Sequence, residues 1–305
     1  MPTQVDFTAT SAREARGLTD HIWETMSYSK RHKAFPSLVL VLSLCSGCCH
    51  ATTVVIAITP RGLIVGTDSG HTVQAPPRVG KAIIVQHRLV VTSVSLVDAE
   101  LTNTRPPHDG FRYHFTKWMI AVEKKCPDNV SVSQLTSLLE IESRITFKNF
   151  DRIIASGTLD RKKTPDPLVE YYVAGYQAGI PTVTHIYFQI DWENRRLMEP
   201  IVVEVHPDHN PRADVGFFVG GIHEVGTQIK DRDSDAYKEM FAVMPNELPR
   251  ILSQQELSLS EATNASLAVL RYEAKHHKPL VAPPFVIVTI PPLGMGAPIL
   301  TTFRK

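Results

Sequence analysis

Several short runs in this chain are apolar at nearly every position, and that limits how it can fold. Thr52–Ile58 reads T-T-V-V-I-A-I and Leu63–Asp68 reads L-I-V-G-T-D. Lys81–Val85 and Leu89–Ser95 read K-A-I-I-V and L-V-V-T-S-V-S. β-branched residues favour strands. A strand wetted on one face alternates apolar with polar, whereas a strand covered on both faces does not. The first two runs flank Pro60-Arg61-Gly62, which predicts a hairpin with a three- or four-residue connection. The next two turn at Gln86-His87-Arg88 into a second hairpin.

Further strands are predicted at Leu168–Tyr176, Thr182–Ile190, Glu199–His206, Val215–Val219 and Phe285–Ile290. Val97–Lys125 reads as helix in two pieces, split by Arg105-Pro106-Pro107-His108-Asp109-Gly110. Ser131–Phe150 reads as a second helix, with Leu135, Leu138, Leu139, Ile141 and Ile145 at helical spacing. Another helix is expected to begin near Gly221 or Ile222. Ser258-Leu259-Ser260-Glu261 is a capping box that opens a helix reaching about His277. The order is strands, helices, strands, helices, strand. It predicts an α+β protein of two packed sheets with helices outside.

The first run also begins at a special place. Upstream lies a basic patch, Lys30-Arg31-His32-Lys33, then an apolar stretch from Phe35 to Leu44, then Cys49-His50-Ala51. A positive region, a short apolar region and small residues at −3 and −1 form the order of a secretory signal. The apolar stretch is too short for a membrane span, which needs about 20 residues. Met26 is a candidate start, because residues 26–51 then have the ordinary leader length of about 15–30 residues. Residues 1–25 are then a mis-assigned N-terminal extension. The residues before Cys45 and Cys48 fit a lipid-attachment pattern poorly. Cleavage after Ala51 would leave Thr52 as a free N-terminus, followed by one domain over residues 52–305.

Composition excludes some classes. The full chain carries 32 basic and 31 acidic residues. Five basic and four acidic residues fall before Thr52, so the remainder is balanced at 27 of each. No clustered basic excess of the kind nucleic-acid binders carry is present. Cys45, Cys48 and Cys49 fall in the segment expected to be removed, which leaves Cys126 without a disulfide partner. Cys45 and Cys48 form a Cys-x-x-Cys, but in an apolar leader it is read as neither redox nor metal site. No metal constellation and no phosphate-binding glycine loop stands out, so no metal, nucleotide or other cofactor is expected.

A free N-terminal Thr carries both a nucleophile and a base, since its own amine can take the hydroxyl proton. Such a group needs a cation near the amine, an acid to hold the cation, and N–H donors for the oxyanion. Lys81 starts a strand, Asp68 ends one, and the turn after Val94 at Ser95-Leu96 offers the N–H. The candidate catalytic residues are therefore Thr52, Asp68, Lys81 and Ser95.

The run from Thr52 to Ile58, the turn at Gly62 and Ile64-Val65-Gly66-Thr67-Asp68-Ser69 together resemble the start of proteasome β-type subunits, which are N-terminal nucleophile hydrolases. The resemblance implies a four-layer αββα sandwich of two antiparallel sheets. It assigns Thr52 as nucleophile, Lys81 as the catalytic lysine and Asp68 as its partner. The stretch ending at Ser95 takes the place of the oxyanion turn, with Ser95 where the family has glycine. Tyr172–Tyr176, Leu257–Ala274 and Pro284–Ile290 extend the resemblance over nearly all of residues 52–305. The loop from Asp68 to Lys81 is a few residues shorter than the family's. Gly220-Gly221-Ile222 lacks the serine of the family's Gly-Ser-Gly turn. Lys275–Phe285 lacks the Asp and Ser that support the amine; His276 and His277 stand there instead, at what reads as a surface helix end.

The function this implies is an exported hydrolase, periplasmic or extracellular, that cleaves peptide or amide bonds through an acyl ester on Thr52. Its expected partners are a peptide or amide substrate and, as an option, other copies of itself, with no nucleic acid and no membrane after cleavage. Two other readings stay open: a non-catalytic binding or assembly protein on the same fold, and a small-molecule amidase or acylase.

Overall fold

The computed structural model describes residues 53–68, 81–95, 98–102, 110–157, 166–205, 216–221, 228–277 and 281–304, with 159, 161 and 164. All lie in the compact unit Ser43–Lys305. Thr52, the leader at 26–51, the extension before it, the stretch 103–109 and the expected helix start at Ile222 fall outside the described residues.

Two five-stranded antiparallel sheets form the centre. The first has the order β12-β1-β2-β13-β14 and the second β11-β8-β7-β4-β3. In the first sheet, β1 (Thr53–Thr59) and β2 (Gly62–Asp68) are flanked by β12 (Gly216–Gly221) and β13 (Phe285–Ile290), with β14 (Ile299–Phe303) at the edge. The second contains β3 (Ala82–Val85), β4 (Leu89–Ser95), β7 (Val169–Gln177), β8 (Ile180–Phe188) and β11 (Ile201–Val205). Two small ribbons pair β5 (Asp98–Thr102) with β6 (Gly110–His114), and β9 (Ile190–Asp191) with β10 (Arg196–Leu197).

Strand side chains alternate between faces, and both faces are covered. Val54, Ile56 and Val65 meet Val90, Val94 and Ala174 between the sheets. Val55, Ala57 and Ile64 on the other face of the first sheet pack on α4 (Asp235–Val243), α5 (Glu247–Leu252) and α6 (Leu259–His276). The outer face of the second sheet, with Val91, Tyr171 and Val173, packs on α1 (Phe115–Glu123), α2 (Val132–Phe147) and α3 (Phe150–Ala155). The fold is an α+β, four-layer αββα sandwich. This is why β1 and β2 are buried at every residue. Helix α6 begins at the expected box, Ser258 and Glu261 each capping the other. It lies close to the sheet at Gly66, where a Cβ would sit 3.3 Å from Leu270 and 2.9 Å from Ile287.

Several expected elements are corrected. The first hairpin turns in two residues, because Thr59 already pairs with Gly62. Val97–Lys125 is a hairpin followed by one helix rather than two helical pieces. Phe111, Tyr113 and Phe115 are buried at a period of two while Arg112 is exposed. Phe111 and Tyr113 pack into an aromatic cluster with Phe147 and Phe150 through tilted and edge-on ring contacts. That cluster also redirects α2. Its buried stripe is Val132, Leu135, Thr136, Leu139, Ser143 and Phe147, so Ile141 and Ile145 face outward at 54% and 63% exposed. The helix stops at Phe147, and Phe150 starts a separate one. Ile180 opens β8 because the turn before it needs only Ala178 and Gly179, at φ 51° and 82°. Helices α4 and α5 and strand β14 carry no sequence signal that was read.

Gly220 faces the second sheet, and a Cβ there would sit 2.3 Å from the Tyr172 hydroxyl and 2.6 Å from Cζ. Gly220→Ala is therefore expected to lose about 1–3 kcal/mol of unfolding free energy through overpacking. In a Tyr172→Leu background the same substitution is expected to cost much less, measured by urea denaturation.

Candidate active site

Three of the first sheet's strand ends gather at one place. Thr53 opens β1, Asp68 closes β2 opposite Phe285 of β13, and Gly221 of β12 pairs with Thr53. Antiparallel pairing of a tight hairpin brings the first residue of β1 beside the last of β2. Lys81 comes from the other sheet, directly before β3, and its carbonyl accepts from Ser93 N–H at 3.1 Å.

Asp68 joins these parts. Its Oδ1 accepts the Thr53 backbone N–H at 3.2 Å, and its Oδ2 lies 3.3 Å from Lys81 Nζ. Asp68 is fully buried and Lys81 is 5% exposed. A lone lysine is expected to be solvated, so its burial here is the larger surprise. Burying two charges is expensive, and their attraction repays it only where hydrogen bonds satisfy them as well. The Thr53 amide is one such bond. It is also the amide that links residue 52 to residue 53. The acid and the cation thus sit, locked together, one residue from the cut that the sequence predicts.

Ser95 ends β4 opposite Val169. Of the four expected catalytic residues, Asp68 and Lys81 meet in a direct pair, Ser95 is placed as a strand end, and Thr52 lies outside the described residues. The two histidines at the end of α6 part ways. His276 stacks on Tyr272 and lies 3.0 Å from Glu239, on the surface. His277 Nε2 lies 3.2 Å from Oε2 of Glu273, whose side chain is fully buried.

Glu273 was missed by the sequence reading. The available signal was a carboxylate in the apolar stripe Ala262, Ala265, Val269, Leu270 and Ala274 of α6. A second missed group lies on β7 and β8, between the sheets. Glu170 is 2% exposed, and its Oε1 lies 3.5 Å from Nε2 of His185. The His185 ring stacks between Tyr172 at 4.3 Å and Tyr187 at 4.8 Å. Burial first, and the Glu170 charge second, push the Tyr172 hydroxyl well above the usual phenol range. Alternating Glu170 and Tyr172 read as ordinary strand residues, because the pairing that brings His185 alongside is not local.

Cys126 is a poor nucleophile. Burial first, then Glu123, raise its thiol pKa, and its Sγ lies 3.6 Å from the Val122 carbonyl oxygen. Among the described residues no group of three or more His, Cys, Asp or Glu is placed to hold a metal. None of the described helices is long and apolar enough to cross a membrane.

No family model matches the chain, and no curated protein matches it. Among solved structures it is similar to Anbu proteins. One is described as an ancestral β-subunit, from Yersinia bercovieri, at 15% identity and TM-score 0.47 over 83% of this chain and 87% of that one. Another is the helical assembly of the Anbu complex from Pseudomonas aeruginosa, at 14% identity, TM-score 0.48 and the same coverage of 83% and 87%. A Gly-1 mutant of Anbu from Hyphomicrobium sp. strain MC1 follows at 13% identity and TM-score 0.45, also over 83% and 87%. Likeness at this level transfers no activity, and the αββα assignment rests on the strand order and layers described above.

These findings correct the expected kinship. The resemblance to proteasome β-type subunits preceded by a secretory leader does not hold as a family assignment: no family model matches, and the solved structures to which the chain is similar include Anbu proteins. The specific β-type motifs lie in the first half of residues 52–305, and the rest of the likeness is weaker.

Breaking the pair from either side leaves a buried charge. Asp68→Asn and Lys81→Met are each expected to cost about 3–5 kcal/mol of stability. The double substitution is expected to cost less than the sum, as contacting partners are not additive. Urea unfolding of the four proteins checks this.

Proposed function

We propose that this protein is an amidohydrolase that uses Thr52 as an N-terminal nucleophile on peptide or amide substrates. The observation that carries the reading is the buried Asp68–Lys81 pair, with Asp68 clamped to the Thr53 amide. A buried ion pair is weak evidence for stability as such. At the start of β1 it has a chemical use, because a fixed ammonium favours the neutral form of a nearby amine.

In the proposed reaction the chain is cut after Ala51. The Thr52 hydroxyl oxygen attacks the substrate carbonyl while the α-amine of Thr52 accepts the hydroxyl proton. The carbonyl oxygen becomes an oxyanion, and the Ser95 N–H donates to it. Collapse expels the amine leaving group, which takes the proton, and leaves an acyl ester on Thr52. Water then attacks the ester, the α-amine again accepts the proton, and the carboxylic acid departs with Thr52 restored. Lys81 tunes the amine, and Asp68 holds both Lys81 and the backbone that carries Thr52. Export of the protein belongs to the same proposal, since the cut at Ala51 is what frees the amine.

A second reading is a binding or assembly protein that has kept the fold without the chemistry. Gly220-Gly221, with no serine beside Thr53, favours it. Edge strand β14 supports self-association within that reading, with Ile299 at 63% and Leu300 at 37% exposed.

N-terminal sequencing and intact mass of the protein from its native host test the cut. The expected start is Thr52, and Thr52→Ala is expected to be cut at the same bond yet to hydrolyse no acyl or peptidyl amide. An uncut chain, or equal hydrolysis by Thr52→Ala, would overturn the proposal and leave the second reading.

A further inference from the structure

Three connections meet at the end of β3 and β4 away from Lys81 and Ser95. The β3–β4 turn carries Arg88, the link before α2 carries Asn129 and Ser131, and Gln177 closes β7 before its turn into β8. Side chains tie them together. Gln86 Nε2 donates to the Pro127 carbonyl at 2.8 Å, and Gln86 Oε1 accepts the Val130 N–H at 3.0 Å. Gln177 Oε1 accepts the Ser133 N–H at 3.1 Å. Among these parts lies an open cavity of about 120 Å³, lined also by Leu89, Tyr176 and Leu293.

The side chains left over in this lining are donors. Arg88 spends one N–H on Asn129 Oδ1, at 2.9 Å, and has no carboxylate partner among the described residues. A guanidinium carries five N–H donors and no acceptor. The side-chain oxygens of Asn129 and Gln177 are both taken, which leaves their NH2 groups. None of the residues lining the cavity is acidic. Glu123 accepts the Gln86 amide N–H at 2.9 Å and is not part of the lining. The start of α2 does not make the site, because Ser131 and Gln134 cap each other there.

Tyr176 supplies the independent observation. It is 9% exposed, and its hydroxyl makes no hydrogen bond among the described residues. A buried hydroxyl left unpaired is costly. The oxygen is not sealed from solvent, and the cavity is the opening that this side chain lines. Burial pushes the phenol up to about 12, so at neutral pH it keeps its proton and is available to donate. Leu89, Val130 and Leu293 give the cavity apolar wall beside these donors.

We infer that this cavity binds a small organic carboxylate: Arg88, the Tyr176 hydroxyl and the Gln177 NH2 group donate to its oxygens, and its short carbon chain lies against Leu89, Val130 and Leu293. A carboxylate takes several donors at once, and a guanidinium meets it with two parallel N–H bonds. A cavity of about 150 Å³ takes a molecule the size of benzene, so this one suits an acid of roughly three to five carbons. Strand β4 separates Arg88 from Ser95 by about 20 Å, at about 3.3 Å per residue. The inference is therefore independent of the Thr52 reading.

The test is isothermal titration of the full chain with butyrate, with amide NMR shifts to place the binding. Saturable binding is expected, with shifts at Ser131, Gln177 and Ala178. Arg88→Met is expected to weaken it about 10- to 100-fold and Tyr176→Phe about 10-fold, the scale of a hydrogen bond to a charged group. Arg88→Lys, which keeps the charge and loses the fork, is expected to fall between wild type and Arg88→Met. Should Arg88→Met not fold, Arg88→Gln takes its place. n-Butylamine, of opposite charge, is expected to cause no shift at these amides. No saturable butyrate binding by wild type would overturn the inference, as would unchanged affinity in a folded Arg88→Met protein or equal binding of n-butylamine. Tighter binding of inorganic phosphate would overturn the organic ligand in favour of a bare anion. Tighter binding of a peptide, lost when its C-terminus is amidated, would overturn the small acid in favour of a chain end.

Discussion

The ion pair between Asp68 and Lys81 joins the end of β2 to the start of β3. Asp68 belongs to the first sheet and Lys81 leads into the edge strand of the second, so the 3.3 Å contact spans the sandwich. The same carboxylate holds the first described amide of β1. The space between the sheets is filled mainly by Val, Ile, Ala and aromatic side chains. An apolar pair of similar volume would be as stable or more so. What an apolar pair cannot supply is a fixed positive charge beside a chain end. The layered fold keeps that charge dry, where electrostatic effects are larger than in water.

The burial pattern explains which parts of the fold were legible in sequence. Strands β1, β2 and β13 announce themselves because both of their faces are covered and the runs are largely apolar. The Ser258–Glu261 box is local chemistry and is found where expected. Where the outcome depends on a distant partner, the pattern misleads. Phe111 and Tyr113 look compatible with a helix until Phe147 and Phe150 gather them at strand spacing. Ile141 and Ile145 look like core until the same cluster turns α2 away from them. β14 is exposed from Ile299 to Thr302 and meets the core only through Phe303, so its pattern does not mark a strand.

The site divides along the same line. Asp68 and Lys81 are readable as candidates because one closes and the other opens a strand run marked in the sequence. Glu273 and Glu170 are not, because their meaning comes from what the fold stacks against them. Both are carboxylates inside otherwise apolar rows, each with a histidine alongside: His277 one helical turn away, and His185 on the neighbouring strand. Burying a carboxylate is costly unless it is paired.

The account stands on Thr52 being a chemically competent chain end held by Asp68 and Lys81. The most direct measurement is tandem mass spectrometry of the cut protein after treatment with a threonine-directed epoxyketone or β-lactone. The account predicts one adduct, on Thr52, that is lost in Lys81→Met protein shown by circular dichroism to be folded. A folded wild-type protein beginning at Thr52 that takes no adduct would contradict it.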